Sequence, residues 1–312
     1  MVQHTILQVG ALPPAAEGQL HEEFSVLRIP EKGWEAVVAE HGQQRSVAVT
    51  SSMVGVSGAL IKALPNLRAV VNFGVGYDTT DVEIAQELGV QVSNTPDVLT
   101  DCVADLAVGL MIDTARSISA SDRFVRRGEW PQGQYPLGQR ISGKRVGIVG
   151  MGRIGRSIAK RLEAFGCSIA YHCRRRVDTL TYPWCESLID LATHSDFLVV
   201  AVAGGPATAG LISGEVLRAL GAEGHLINIA RGSVVDEIAL VDALIHQQIA
   251  GAGLDVFTHE PHVPKALFEL DNVVLTPHIG SATAETRQDM ASLFFDNLRQ
   301  FIASGTLKTP VS

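Results

Sequence analysis

The segment Gly150-Met151-Gly152-Arg153-Ile154-Gly155 constrains the fold of this chain more than any other. It follows an apolar, β-branched run at residues 145–149. It opens a segment, 154–165, whose apolar residues recur at helical spacing. Three glycines at this spacing, between a strand and a helix, have separate physical duties. The first permits a tight turn, the second lets backbone approach a pyrophosphate, and the third lets the helix pack close to the strand. The amides and positive dipole end of the helix then hold the anion. Glycine is common in turns, so the bare pattern is weak; the flanking strand and helix make it a dinucleotide-binding signal.

Short apolar runs alternate with helical patterns along nearly the whole chain. Strands are predicted at residues 6–9, 47–50, 69–72, 90–93, 145–149, 168–172, 197–201, 225–229 and 273–275. Continuous rather than alternating hydrophobicity points to parallel sheets covered on both faces. Helical segments such as 154–165 and 237–247 supply the crossovers. The expected fold class is α/β, with doubly wound parallel sheets. Two long helices, 98–127 and 284–304, are expected to join the halves of the molecule. Residues 128–143, rich in Gly, Pro and Gln, read as a loop.

At roughly 100–200 residues per domain, a chain of 312 residues suggests two domains. Apolar residues at 46 % and charged residues at 19 % favour a sizeable core over disorder. The formal net charge of −8 argues against nucleic acid or an anionic membrane as a partner, while leaving room for a small basic site. No run of about 18 apolar residues predicts a membrane span. The first ten residues lack a secretory pattern. Cys102, Cys167, Cys173 and Cys185 show no metal-ligand spacing. Reduced thiols, no metal site and a cytoplasmic location are therefore expected.

The strand after the glycine motif ends Tyr171-His172-Cys173-Arg174-Arg175-Arg176. An acidic residue at this tip would bind a free ribose 2′-hydroxyl, whereas guanidiniums favour a 2′-phosphate. The expected cofactor is NADPH/NADP+, with NADH as a weaker alternative. Three further segments end later strands: 228–236 with Arg231, 254–261 with Asp255 and Glu260, and 276–281 with His278. The C-terminal ends of parallel strands are where open α/β sheets bind ligands, so these segments are expected to converge near the nicotinamide.

Together these residues resemble the D-isomer-specific 2-hydroxyacid dehydrogenase family. The resemblance runs through Asn72-Phe73-Gly74-Val75-Gly76-Tyr77-Asp78, Asn94-Thr95-Pro96, the glycine motif, and the Arg, Glu and His segments in family order. Residues 95–107 and the arginine-ended strand are similar to the NADPH-using glyoxylate/hydroxypyruvate and hydroxyphenylpyruvate reductases within it. The resemblance implies a flavodoxin-like substrate domain, residues 1–97 plus 285–312, around a Rossmann domain, 98–284, with the active site in the cleft. It implies reduction of a small 2-oxo acid to the D-2-hydroxy acid.

The site residues follow by likeness. Arg231 binds the substrate carboxylate and polarises the carbonyl. His278 is the acid/base and Glu260 its partner, fixing the ring and favouring its charged form. Val75 and Gly76 meet the carboxylate through backbone amides. The expected cofactor contacts are Gly150, Gly152, Arg153, Ile154, Gly155, Cys173, Arg174, Arg175, Pro206, Thr208, Ala230 and Asp255, the last near the carboxamide. Ser281 reads as a helix cap. Likeness also implies a homodimer formed through residues 98–127, with Trp130 as a candidate to reach the partner's pocket.

Two other readings stay open on sequence alone. One is a relative such as phosphoglycerate, phosphite or formate dehydrogenase. Formate enzymes usually carry glutamine where Glu260 stands, and long regulatory extensions typical of many phosphoglycerate enzymes are not seen. The other is a non-enzymatic nucleotide-sensing module, which can retain all three catalytic residues.

Overall fold

The computed structural model describes residues 5–311. The chain forms two compact units: one runs to Leu99 and resumes at Thr283, and the other is Thr100–Ala282. In the first unit, β1 (Thr5–Val9), β2 (Ser25–Ile29), β3 (Val47–Ser51), β4 (Ala69–Phe73) and β5 (Gln91–Ser93) form an all-parallel sheet. Its strand order is β2-β1-β3-β4-β5. Helices α1 (Pro14–Glu23), α2 (Glu35–His41), α3 (Gly58–Lys62) and α4 (Val82–Glu87) make the connections. The central strands β3 and β4 are buried along their whole length, as strands covered on both faces must be.

The second unit opens with α5 (Thr100–Arg116) and α6 (Ile118–Arg126). There follow β6 (Arg145–Val149), α7 (Arg153–Glu163), β7 (Ser168–His172), α8 (Leu188–Thr193) and β8 (Phe197–Val200). The unit continues through α9 (Gly214–Leu220), β9 (His225–Asn228), α10 (Glu237–Ile245), β10 (Gly251–Leu254) and β11 (Val273–Leu275). Its six strands are all parallel, in the order β11-β10-β9-β8-β6-β7. β6 pairs with β7 on one side and β8 on the other, so the winding reverses there. A crevice opens at such a point, beyond the carboxyl ends of the strands. Both sheets are thus parallel α/β layers, as the strand patterning predicts.

The last helix, α11 (Ala284–Ser304), belongs to the first unit. It is anchored by Phe294, whose ring lies 5.7 Å from that of Phe73, and by Phe295, which meets Phe294 edge-on at 5.2 Å. Both are buried, and each such side chain contributes roughly 1.5–3 kcal/mol. The cap of this helix is Thr283, whose hydroxyl accepts from the Thr286 amide at 3.3 Å. Ser281 is therefore not the cap, a correction to the sequence reading.

Two other features depart from expectation. The segment 98–127 is two helices, not one. Ser117 adopts a left-handed conformation (φ 49°), and the Asp113 carboxylate accepts from both the amide and the hydroxyl of Ser119. That side chain replaces the hydrogen bonds the break removes. β2 was not predicted because it is a half-buried edge strand with a mixed pattern. The short strand expected before residues 254–261 is β10, which reads Gly251-Ala252-Gly253-Leu254 and is poor in strand formers. A Cβ on Gly253 would sit 3.0 Å from Leu110 Cβ and Thr114 Oγ1, so glycine is what lets α5 lie against this strand.

Among the described residues no helix is long and apolar enough to cross a membrane, and all four cysteines are unbridged. No cluster of three His, Cys, Asp or Glu capable of holding a metal occurs among them.

His225 begins β9, 4 % exposed, with its ring stacked 4.8 Å from Phe197. Its Nδ1 has no partner among the described residues. Burial, assisted by the charge of Lys144, pushes this imidazole down from 6.5 to about 4. The unfolded chain therefore binds a proton that the folded chain refuses, and stability must fall as pH drops below 6.5 towards 4. Denaturant titrations across this window should show a loss on the order of 3 kcal/mol from this residue, and His225→Phe should remove it. An unchanged pH slope in the variant would refute the assignment.

Candidate active site

Because all six strands of the second unit are parallel, every loop that follows a strand emerges at the same sheet edge. The glycine motif follows β6. Gly150 has φ +98°, and a Cβ there would press on Ala201 O and Val202. A Cβ on Gly155 would collide with the Gly150 carbonyl, so only glycine lets α7 start this close to the strand. Gly152, by contrast, faces open space, the approach a pyrophosphate needs. Arg153 and Ile154 form the first turn of α7, Arg153 exposed and Ile154 half-buried. Helix amides in this turn lack intrahelical acceptors and suit an anion.

The tip after β7 is braced from beneath. Trp184 Nε1 donates to the Cys173 carbonyl at 3.2 Å, and the Val177 amide donates to the Tyr171 hydroxyl at 3.0 Å. Cys173 is half-buried, its thiol directed to the Arg175 carbonyl, while Arg174, Arg175 and Arg176 are exposed. No carboxylate stands among residues 173–176. After β8, Pro206 is exposed. Thr208 is turned into its own loop by a 2.7 Å bond from its hydroxyl to the Ala203 carbonyl.

The Arg231 loop is held by a residue that sequence reading missed. Asn228, 1 % exposed at the end of β9, accepts from the Ala230 amide at 3.1 Å and donates to the Arg231 carbonyl at 3.0 Å. A polar side chain closing an apolar strand was the available signal. Ala230 is buried, and its carbonyl accepts from the Arg231 guanidinium at 2.8 Å. Gly232 follows; a Cβ there would collide with the backbone of Phe257 and Thr258. This contact brings the Arg231 loop against the segment that carries Glu260.

Glu260 and His278 form a pair. His278 Nδ1 lies 2.7 Å from Glu260 Oε2, and Glu260 Oε1 accepts from the Phe257 amide at 2.9 Å. Burial favours the protonated carboxyl of Glu260. The hydrogen bond from His278, the Phe257 amide and the charges of His278 and Arg231 outweigh burial, so its pKa falls below the usual value. Glu260 is therefore a carboxylate at neutral pH. With Nδ1 engaged, Nε2 is the ring atom available to a substrate.

Asp255 is 2 % exposed, and its carboxylate is turned to the loop carrying His278. It accepts from Thr276 Oγ1 (2.7 Å), the Ile279 amide (2.8 Å) and the Gly280 amide (2.9 Å). The His278 amide donates to the Asp255 carbonyl at 2.9 Å. Burial raises the Asp255 carboxyl above its ordinary pKa, opposed by these donors and by His278. The clamp holds His278 at φ 52°, a conformation that a non-glycine residue keeps only when its surroundings impose it.

In the first unit, the loop with Val75 and Gly76 follows β4, at the carboxyl edge of that sheet. Gly74 has φ +132°, and a Cβ there would collide with the Ser52 side chain.

Residues 108–280 match the D-isomer specific 2-hydroxyacid dehydrogenase, NAD binding domain. Over 309 residues the chain is 44 % identical to a glyoxylate/hydroxypyruvate reductase A of Arabidopsis thaliana, covering 98 % of each protein. It is 45 % identical over 307 residues to a hydroxyphenylpyruvate reductase of Plectranthus scutellarioides, again covering 98 % of each. The chain belongs to the D-isomer specific 2-hydroxyacid dehydrogenase family. A crystal structure of the NADPH-dependent glyoxylate/hydroxypyruvate reductase of Sinorhizobium meliloti, with NADP and malonate, superposes with a TM-score of 0.93. It is 43 % identical and covers 99 % of this chain and 97 % of that one. As a family member the chain is an oxidoreductase with a nicotinamide dinucleotide cofactor. The open approach at Gly152 and the packed Gly155 fit that group.

Proposed function

We propose that this protein reduces a small 2-oxo acid, of the glyoxylate or hydroxypyruvate type, to the D-2-hydroxy acid at the expense of NADPH. The observation that carries the reading is the 2.7 Å His278–Glu260 pair, beside the Arg231 loop, at the sheet edge that also bears the glycine motif. The bound cofactor supplies the hydride to the carbonyl carbon. His278 Nε2, as imidazolium, gives its proton to the carbonyl oxygen, and as imidazole takes it back in the reverse direction. Glu260 holds the ring by Nδ1 and balances its charge. Arg231 grips the carboxylate and stabilises the negative charge that develops on the oxygen. The amides of Val75 and Gly76 complete the grip on the carboxylate. Under this reading, residues 1–97 and 285–312 act as the substrate domain and 98–284 as the nucleotide domain.

The preference for NADPH rests on the exposed Arg174 and Arg175 at the β7 tip, with no acid there, and on the likeness to an NADPH-dependent reductase. Gly150, Gly152, Arg153, Ile154 and Gly155 would hold the pyrophosphate. Cys173, Pro206, Thr208 and Ala230 would line the nucleotide, and Asp255 would lie near the carboxamide. A homodimer is the proposed assembly. Ile118 and Val125 on α6, and Trp130 and Leu137 after it, are each at least 50 % exposed, apolar surface that a second copy would cover.

Coenzyme oxidation should be followed with glyoxylate, hydroxypyruvate, pyruvate, phenylpyruvate and 4-hydroxyphenylpyruvate, using NADPH and NADH in parallel. The first two substrates with NADPH should give the highest kcat/KM. A higher efficiency with NADH would overturn the cofactor assignment, and silence with all five would overturn the activity. His278→Ala should lower kcat by about 100–10,000-fold while leaving NADPH affinity nearly intact; a loss under about tenfold would contradict its role. Light scattering should give twice the mass of one chain, and a monomer would refute the dimer.

A further inference from the structure

The Gly74–Gly76 loop is held by its carbonyl oxygens. The Gly74 carbonyl accepts from the Thr95 amide at 2.9 Å and from Asn72 Nδ2 at 3.3 Å. The Val75 carbonyl accepts from Asn94 Nδ2 at 2.8 Å. The Gly76 carbonyl accepts from Asn72 Nδ2 at 2.7 Å. The Gly74 amide in turn donates to Thr95 Oγ1 at 3.2 Å. Three successive carbonyls are therefore tied to donors.

A peptide unit is planar and trans, so its C=O and N–H point in opposite directions. Tying the Gly74 carbonyl sets the direction of the Val75 N–H, and tying the Val75 carbonyl sets that of the Gly76 N–H. We propose that Asn94, together with Asn72 and Thr95, is a positioning residue that aims the Val75 and Gly76 amides at the substrate carboxylate. It does so by holding the far ends of the same peptide units. The proposal rests on the reading, made above, that these amides take the carboxylate.

Two further observations support it. Asn72 is fully buried, gives its amide hydrogens to the loop, and leaves its own Oδ1 without a partner among the described residues. An unsatisfied buried acceptor costs about 1–3 kcal/mol, a penalty that a purely space-filling residue would not carry. Asn94 is itself fixed from behind. Its carbonyl accepts from Thr309 Oγ1 at 2.6 Å, and that hydroxyl accepts from Asn297 Nδ2 at 2.9 Å, on α11. The Asn297 carboxamide oxygen also accepts the Lys308 and Thr309 amides at 2.9 Å each. The donor to Val75 is thus placed by a chain of bonds reaching the C-terminal segment.

Asn94→Ala and Asn94→Asp test this, the second keeping the shape while removing the donor. Oxalate, a dicarboxylate that cannot be reduced, serves as the probe of the carboxylate grip. Both variants should raise the inhibition constant of oxalate and the KM of glyoxylate about tenfold, the worth of one oriented hydrogen bond, with kcat changing less than KM. NADPH affinity and Tm should stay close to wild type in at least the Asp variant. A crystal structure of the wild-type protein with oxalate separates the two levels of the argument. Oxalate away from the Val75 and Gly76 amides would overturn the carboxylate reading. Oxalate on those amides, with its inhibition constant unchanged in both variants, would overturn the positioning role alone.

Discussion

Parallel pairing is the constraint on which the rest of this structure depends. When neighbouring strands all run the same way, every strand delivers its following loop to one edge of the sheet. In the second unit that edge collects Gly150–Gly155, the arginine tip, the Arg231 loop, Glu260 and His278 from five different strands. No single loop holds all of these candidate groups. The ladder of main-chain hydrogen bonds sets where each loop starts, and short polar contacts then aim the side chains.

The aiming is done by polar groups at the strand ends, most of them buried. Asp255 is saturated by Thr276, Ile279 and Gly280. It holds His278 in a left-handed conformation that would otherwise be disfavoured. Asn228 braces Ala230 and Arg231 in the same way. In the first unit Asn72, Asn94 and Thr95 do this for Gly74–Gly76. In both units a group that would contact substrate sits on a loop, while the residues that orient it stand at strand ends. Charge follows the same economy: Glu260 stays ionised because His278, the Phe257 amide and Arg231 together outweigh its burial.

The strands that the sequence patterning missed or left without bounds are those whose stability comes from elsewhere. β10 contains two glycines, and its place in the sheet depends on α5 approaching where side chains are absent. β2 is an edge strand with one strongly buried residue, so its pattern is weak. The break at Ser117 was invisible because serine is tolerated within helices, and the substitute hydrogen bonds come from Asp113, four residues earlier. Thr283, not Ser281, caps α11, a choice between neighbouring hydroxyls that only backbone geometry makes.

The sequence by itself determined the α/β class, the glycine motif and the residue types of the site, because these rest on local spacing: continuous apolar runs, glycines at fixed intervals, and Arg, Glu and His after successive strands. Tertiary structure decided which of these groups meet. The 2.7 Å contact of His278 with Glu260 spans 18 residues of chain, and the hold of Asp255 on Gly280 spans 25. The bond from Thr309 to Asn94 closes 215 residues. Contacts of that reach depend on strand order and register, which local spacing does not encode.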